Sequence, residues 1–312
     1  MKISRAICRT YDELPFFVDM IQAFQTHLAS ERRYSPHTVS NYLNDLEQFS
    51  SFLLKHYEVE MEQAQSSMLR TWVSDMIEAQ YAATSVHRKI STLRAYYAFL
   101  QKRNVRSDNP ARSIPRPKKK QQLPTFVEES AMDRFRFDTE TTDFEEITGR
   151  LAIRLLYETG MRQAELLGLS DTSVDPRLGQ LKVLGKREKV RYLPLSRALI
   201  AEIGEYVDER KNRFGETNPG TLLVTRDNKK ITKSFVYKIV RLYLSEVTTA
   251  KKRSPHVLRH TFATHMLNNG ADLNVIKELL GHSSLAATQV YTHNNIEKLK
   301  QVHAQLHPRN RS

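Results

Sequence analysis

Apolar residues recur at helical spacing through the first hundred residues. Apolar side chains repeat every three or four positions in the stretches 17–28, 42–53, 69–77 and 90–100. No glycine precedes Gly149, and no proline lies between Pro36 and Pro110. Because this spacing places apolar side chains on one face and the usual helix breakers are absent, the segment predicts four helices. Ser35 before Pro36 predicts the start of the second helix, and Thr84 or Ser85 that of the fourth.

The pattern becomes mixed after residue 145. An apolar helix over 147–156 is followed by a turn at Gly160 and a short helix over 163–169. Two runs of strand character, 180–184 and 190–195, are separated by five residues, which is a hairpin-loop length. Further helices are predicted over 197–213, 233–246, 255–269, 273–280 and 294–306, and a short strand over 222–224. The fold class is therefore mainly α with a small β-sheet, an α+β arrangement.

A proline-rich, basic segment lies near one third of the chain. Four prolines fall within residues 109–124, and proline there forbids a regular helix or a central strand. A chain of 312 residues suits two domains at roughly 150 residues each. We therefore expect a helical domain over 1–108, an interdomain linker over 109–124 and a second domain over 125–312.

The charge balance favours a polyanionic partner. Lys and Arg total 48 against 35 Asp and Glu, which gives a net charge of +13, and nucleic acid is the leading candidate. The candidate DNA-contacting residues lie on the exposed face expected for the fourth helix and on the linker: Arg88, Lys89, Arg94, Arg116, Lys118, Lys119 and Lys120. A solvated charged face and a soluble spacer are the alternative readings of these two segments.

Composition also bears on the compartment. No apolar stretch approaches the roughly 20 residues that span a bilayer, and the first residues contain no apolar signal-peptide core. The single Cys8 cannot form an internal disulfide, which fits a reducing compartment. We expect a cytoplasmic protein without a membrane partner.

Three segments carry a specific combination of residues: TGMRQAELLGL (159–169), SPHVLRHTFATHMLNNGADLNVIKELLGH (254–282) and TQVYTH (288–293). Together they resemble the tyrosine recombinase (phage integrase) superfamily, and most closely the bacterial Xer recombinases of the XerC and XerD type. The resemblance covers nearly the whole chain. It implies a two-domain recombinase with a helical, SAM-like core-binding domain and a mixed α/β catalytic domain.

The resemblance also implies the catalytic residues. Transferred position by position, they are Arg162, Lys186, His256, Arg259, His282 and the nucleophile Tyr291. It implies no metal and no cofactor. The loop GKREK departs from the usual GKGxK because Arg187 replaces a glycine that eases a tight turn, so the choice between Lys186 and Lys189 as general acid stays open. Glu165, three residues after Arg162, is expected to pair with it without touching the substrate.

These residue types suit metal-free cleavage of a phosphodiester. Charge that builds on the phosphate must be met by fixed donors, and a guanidinium bonds phosphate oxygens bidentately while staying ionised. His256 and Arg259 are three apart in a helix opened by Ser254-Pro255, so they share one face near its N-terminus. A tyrosine ester with the 3′ phosphate conserves bond energy for religation, and a lysine can protonate the leaving 5′ oxygen.

By resemblance, the protein cuts and rejoins duplex DNA at a specific recombination site through a 3′-phosphotyrosyl intermediate. The implied assembly is a homo- or hetero-tetramer on DNA, with a second Xer-type recombinase and a septal DNA translocase as possible partners in chromosome dimer resolution. The terminal helix 294–306 carries one apolar stripe, formed by Ile296, Leu299, Val302 and Leu306, which must be buried somewhere. We expect this helix to pass to a neighbouring protomer, with docking onto its own domain as the alternative. The sequence does not separate XerC from XerD type, and it does not identify the target site.

Three alternatives were weighed against this reading. One is a mobile-element integrase of the same family, and another is a non-catalytic DNA-binding protein. The third is a zinc hydrolase, because His256 and His260 are four apart. Val257 stands where such a hydrolase needs a glutamate base, however, and Arg259 would repel the cation. His260 and His265 are instead expected to be buried structural histidines.

Overall fold

The computed structural model describes residues 15–118, 126–133, 141–185, 189–216, 219–249, 252–281 and 293–310. The chain divides into two compact units, Met1–Gln122 and Leu123–Ser312, and each has a hydrophobic core of its own. Within the described ranges, no helix is both long and apolar enough to cross a membrane.

The first unit is helical. Its helices are α1 (Pro15–Thr26), α2 (Pro36–Tyr57), α3 (Ser66–Glu78) and α4 (Ala83–Lys102), with a π-helical turn after α1 and a 3-10 turn before α3. The four predicted helices are thus confirmed. Ser35 caps α2, since its Oγ accepts a hydrogen bond from the Thr38 amide at 3.2 Å. Where their side chains are described, the predicted apolar positions lie in the core or pack against it, except that Ile77 is exposed.

A buried carboxylate organises the junction of α2 and α4. Asp45 accepts hydrogen bonds from Lys89 Nζ at 3.0 Å and from Thr92 Oγ1 at 2.9 Å, and it pairs with Arg88. Lys89 is only 3% exposed, so the expectation that it is an exposed basic residue is wrong. The physical reason is that a buried carboxylate must be paired and hydrogen-bonded, and Lys89 supplies both.

The first part of the predicted linker packs on the first unit. Ala111 and Ile114 are buried in its core. Arg94 donates from Nε to the Ala111 carbonyl at 3.0 Å and from Nη2 to the Ile114 carbonyl at 2.7 Å. These bonds satisfy carbonyls in a segment that forms no regular secondary structure. The segment from Asn109 to Pro117, which the sequence assigns to a linker, is therefore docked on α4.

The second unit surrounds a three-stranded antiparallel sheet with helices. Its elements are α5 (Glu129–Asp133), α6 (Phe144–Thr159), α7 (Gln163–Leu166), β1 (Val174–Asp175), β2 (Gln180–Leu184), β3 (Val190–Pro194), α8 (Arg197–Phe214), α9 (Lys233–Val247), α10 (Pro255–Asn268), α11 (Leu273–Leu280) and α12 (His293–Leu306). The sheet order is β1-β2-β3. Residues 222–224 form no strand, although Val224 makes an isolated bridge with Lys230.

The terminal helix α12 packs on its own unit. Leu299 lies in the core of the second unit, and His303 and His307 are buried. His303 Nε2 donates to the Glu158 carbonyl at 2.7 Å. In the single chain, Leu299, Val302 and Leu306 thus pack on the helix's own unit, while exchange with a neighbouring protomer stays a prediction. Exchange in an assembly would require this docking to be broken.

We predict that the docking of α12 makes stability depend on pH. Burial lowers the pKa of His303 and of His307, and for His307 the neighbouring His303 adds to the effect. Histidines of the unfolded chain titrate at about 6.5. The contribution of the two buried histidines to stability is therefore fully present above that pH. It decreases below that pH, because the unfolded chain takes up protons that the buried rings do not.

Thermal unfolding between acid and neutral pH measures this effect. The variant His303→Gln keeps an amide donor for the Glu158 carbonyl but cannot titrate, so its melting temperature should fall less on acidification than that of the wild type. Parallel pH profiles for the two proteins would contradict the prediction.

Candidate active site

A sharp turn after α6 places Arg162. Gly160 ends the helix at a φ of +62°, and a Cβ at this position would lie 2.4 Å from Cδ1 of Phe262. Only glycine tolerates both the conformation and the close approach to α10. Arg162 then begins α7 and donates from Nη1 to Glu165 Oε1 at 3.0 Å and from Nη2 to the Gly281 carbonyl at 3.1 Å. Its side chain is thereby directed toward the end of α11.

Arg259 reaches the same backbone segments from α10. Pro255 occupies the first turn of this helix, as the sequence predicts. Arg259 donates from Nη1 to the Gly160 carbonyl at 2.6 Å and from Nη2 to the Leu280 carbonyl at 2.5 Å. The two arginines, almost a hundred positions apart in the sequence, therefore converge on the turn after α6 and on the end of α11.

Arg162, Arg191 and Arg259 lie near one another and form a positively charged cluster. Burial lowers the pKa of Arg259 to about 10, and the charges of Arg162 and Arg191 contribute to the decrease, whereas Glu165 opposes it. Arg259 still remains protonated at neutral pH. Crowded, partly desolvated guanidinium groups are stabilised electrostatically when an anion binds between them. The electrostatics of the cluster therefore favour an anionic ligand.

Glu165 is buried within this cluster, and its main partner was not anticipated. Arg191 on β3 donates from Nη1 to Glu165 Oε1 at 2.6 Å and from Nη2 to Oε2 at 2.8 Å. Burial acts to raise the pKa of Glu165, but the hydrogen bonds and charge of Arg191, followed by those of Arg162, lower it below the ordinary value. The expected pairing of Glu165 with Arg162 is present and is shared with Arg191.

The sequence did contain a signal for Arg191. It pairs across the hairpin with Val183, and Leu193 pairs with Leu181, so these residues share the face of the sheet that points to the core. A charged residue in phase with buried apolar residues requires a buried partner of opposite charge. From the sequence alone, residues 190–195 are predicted only as a strand, and no partner for Arg191 is predicted.

The histidines separate into exposed and buried groups. His256 is exposed on the first turn of α10, three residues before Arg259, whereas His260 is half-buried. His265 is buried, as expected, and bonds the Tyr157 hydroxyl at 2.9 Å and the Val127 carbonyl at 2.8 Å. A structural role for His265 is thus confirmed. For His260, partial burial fits that expectation only in part.

Several predicted residues lie outside the described ranges: Lys186, His282, Tyr291, Lys119 and Lys120. Two of them directly follow described residues that lie beside the arginines: Lys186 follows Gly185, and His282 follows Gly281. Gly185 closes the β2–β3 hairpin through its amide, which donates to the Lys189 carbonyl at 2.8 Å, and Gly281 binds Arg162. The structure therefore brings Arg162, Glu165 and Arg259 together, and the segments carrying Lys186 and His282 start beside them.

A basic groove on α9 is a second feature that the sequence analysis missed. The groove has a volume of about 790 Å³ and is lined by Gln163, Lys233, Tyr237, Lys238, Arg241 and Arg253, among others. Gln163, next to Arg162, donates to the Lys233 carbonyl at 2.8 Å and so connects α7 with α9. The signal was present, since positions 233, 237 and 241 recur every four residues and share one helix face.

Two family models match the chain. The phage integrase family matches residues 126–298, and the phage integrase N-terminal SAM-like domain matches residues 21–104. These matches account for most of both units.

Individual proteins agree with this assignment. The chain is 37% identical over 299 residues to the tyrosine recombinase XerC of Pelobacter propionicus, covering 95% of this chain and 97% of the relative. It is 33% identical over 291 residues to the tyrosine recombinase XerD of Shewanella oneidensis, with coverages of 93% and 97%.

Solved structures share the fold. The site-specific recombinase XerH, bound to a palindromic difH substrate in a post-cleavage complex, aligns with a TM-score of 0.67 at 22% identity, covering 88% of this chain and 81% of that one. The Tn1549 transposon integrase in complex with transposon right end DNA aligns with a TM-score of 0.65 at 17% identity, with coverages of 90% and 99%. The chain therefore belongs to the phage integrase family and is a site-specific tyrosine recombinase of the Xer type.

Proposed function

We propose that Arg162 and Arg259 together bind the scissile phosphate of a duplex recombination site. The observation that carries this proposal is the convergence of the two guanidinium groups on the carbonyls of Gly160, Leu280 and Gly281, beside a single shared carboxylate. Both arginines are fixed before substrate arrives, so little reorganisation accompanies the charge that develops on phosphate. Each guanidinium has five N–H donors, so donors remain for phosphate oxygens.

In the proposed reaction, the hydroxyl oxygen of Tyr291 attacks the phosphorus and forms the 3′-phosphotyrosyl ester. The bond from phosphorus to the 5′ oxygen breaks, and this oxygen takes a proton from Lys186 or Lys189. His256 receives the proton of the tyrosine hydroxyl, and His282 donates a hydrogen bond to the phosphate. The freed 5′ hydroxyl of a partner strand then reverses these steps and releases Tyr291, so one phosphodiester replaces another without an external energy source.

We assign the protein to chromosome dimer resolution, acting as a tetramer on DNA with itself or with a second Xer-type recombinase under a septal DNA translocase. The support is the similarity over nearly the full length of relatives named XerC and XerD. Mapping protein-linked cleavage sites across the host genome tests this role. Cleavage at a single chromosomal site supports it, whereas cleavage at the ends of a mobile element favours the integrase alternative.

Residues on each unit are candidates for contacting the DNA backbone. On the first unit, Arg116 and Lys118 are exposed at the end of the docked linker, and Arg88 is partly exposed. Arg94 is engaged with linker carbonyls and Lys89 with Asp45, so these two position the surface instead of reaching phosphate. On the second unit, the basic groove of α9 adjoins Arg162 through Gln163.

We predict that Tyr291→Phe binds target DNA normally yet forms no covalent adduct, because the attacking oxygen is missing. A nicked suicide duplex, which traps the covalent intermediate, measures the adduct by denaturing electrophoresis. The reaction is run in EDTA, where the wild type should retain its activity. Adduct in the variant would show that another residue is the nucleophile, and loss of wild-type activity in EDTA would show a metal requirement.

We predict that Arg162→Lys slows cleavage by roughly 100-fold or more, the usual effect of removing one donor to a transition-state anion. A lysine supplies one point charge and cannot bond two phosphate oxygens in the plane of a guanidinium. Single-turnover cleavage at saturating DNA measures the step without contribution from binding. A rate within a few-fold of the wild type would exclude a bidentate role for Arg162.

We predict that replacing Lys118, Lys119 and Lys120 by glutamine flattens the dependence of DNA affinity on salt. Each lost phosphate contact should reduce the slope of log affinity against log salt by about one. Replacing Lys238 and Arg241 on α9 by glutamine tests the groove in the same way. An unchanged slope for either set would show that its residues do not contact the backbone.

A further inference from the structure

Arg191 occupies a junction between three parts of the catalytic unit. Its guanidinium forms a two-pronged ion pair with Glu165 on α7, and its Nε donates to the Leu279 carbonyl at the end of α11 at 3.2 Å. The residue itself belongs to β3, on one arm of the hairpin that contains Lys186. It is 5% exposed, so these contacts are shielded from water and from competing ions.

The end of α11 is fitted closely to this guanidinium. Gly281 ends the helix at a φ of +63°, and a Cβ at this position would lie 3.1 to 3.3 Å from three atoms of the Arg191 side chain. Gly281 also provides the carbonyl that binds Arg162. The position of this carbonyl, and of the backbone that leads to His282, therefore depends on Arg191.

Glu165 is shared between Arg191 and Arg162. Its two oxygens accept four hydrogen bonds, two from Arg191 and two from the Arg162 side chain and amide. A carboxylate offers about four acceptor positions, so Glu165 is saturated. Arg162 consequently donates one side-chain hydrogen bond to Glu165 instead of the two that it could donate to an unshared carboxylate.

We propose that Arg191 is a positioning residue for strand cleavage: by holding Glu165 and the end of α11, it fixes Arg162 in the orientation that binds the scissile phosphate. This inference rests on the proposed role of Arg162. Without Arg191, Glu165 can accept two side-chain hydrogen bonds from Arg162 and neutralise its charge. A lysine at 191 keeps the charge but cannot bond both carboxylate oxygens and the Leu279 carbonyl together.

A buried arginine elsewhere in the same unit provides a matched control. Arg210 on α8 is 3% exposed, forms a two-pronged pair with Asp171 and donates to the carbonyls of Thr221 and Leu222. It thus has the same chemistry as Arg191, with no part in the proposed reaction. A comparison of the two pairs separates an effect on cleavage from an effect on stability.

The test is a pair of double-mutant cycles. One cycle combines Arg191→Met with Glu165→Gln, and the control cycle combines Arg210→Met with Asp171→Asn. Each protein is assayed for thermal stability, for affinity to its DNA site and for single-turnover cleavage of a suicide duplex at saturating DNA, well below its melting temperature. Arg191→Lys is included as the variant that keeps the buried charge and is the more certain to fold.

Both pairs should show coupling in stability, because each single variant removes one partner of an ion pair whose arginine is buried. Only the Arg191–Glu165 pair should show coupling in the cleavage rate. The Arg191 variants, including Arg191→Lys, should bind DNA normally and cleave it about 10–100-fold more slowly, the range seen when a supporting contact to a catalytic group is removed. The Arg210 variants should cleave at the wild-type rate.

The contrary outcomes are distinct. Wild-type cleavage by Arg191→Lys, or coupling in stability alone, would show that Arg191 is structural. Coupling of both pairs in the cleavage rate would show that cleavage merely follows stability, which also overturns the inference. Arg162→Lys in the same assay keeps the two proposals apart: if it cleaves normally, the role of Arg162 fails, whatever the behaviour of Arg191.

Discussion

The structure of the catalytic unit depends on how several buried or half-buried guanidinium groups are accommodated close together. Arg162, Arg191 and Arg259 lie near one another, and Glu165 is the carboxylate that offsets their charge among the described residues. Backbone carbonyls at Gly160, Leu279, Leu280 and Gly281 accept further hydrogen bonds from these arginines. Carbonyl dipoles satisfy the N–H donors without cancelling the charge, so the cluster keeps a positive field for an anionic substrate.

This arrangement explains why two turns require glycine. Gly160 and Gly281 both adopt a positive φ, and they present carbonyls to Arg259 and Arg162, respectively. A side chain at Gly160 would collide with Phe262, and one at Gly281 would press on Arg191. The glycines thus bring backbone oxygen atoms within hydrogen-bonding distance of guanidinium groups that come from distant parts of the chain. The electrostatics of the site therefore depend on the backbone conformation of these two turns.

The first unit uses the same chemistry for a different purpose. Asp45 holds Lys89 and Arg88 at the contact of α2 with α4, and Arg94 holds the carbonyls of residues 111–114. Basic residues that look equivalent along the sequence therefore differ in the structure. Some form hydrogen bonds within the unit, whereas others, such as Arg116 and Lys118, are exposed. Net positive charge alone does not tell which of them are available to DNA.

The sequence by itself determined the helices other than α5, the β2–β3 hairpin and the recombinase motifs. These features depend on local periodicity, on capping residues such as Ser35 and Gly160, and on residue types that recur in fixed order. Only the tertiary structure decided which charges are buried. The pairing of Arg191 with Glu165, the burial of Lys89 and the docking of His303 against Glu158 join residues between 26 and 145 positions apart. Periodicity reports which face of an element is apolar, but the partner of a buried charge is set by how distant elements pack.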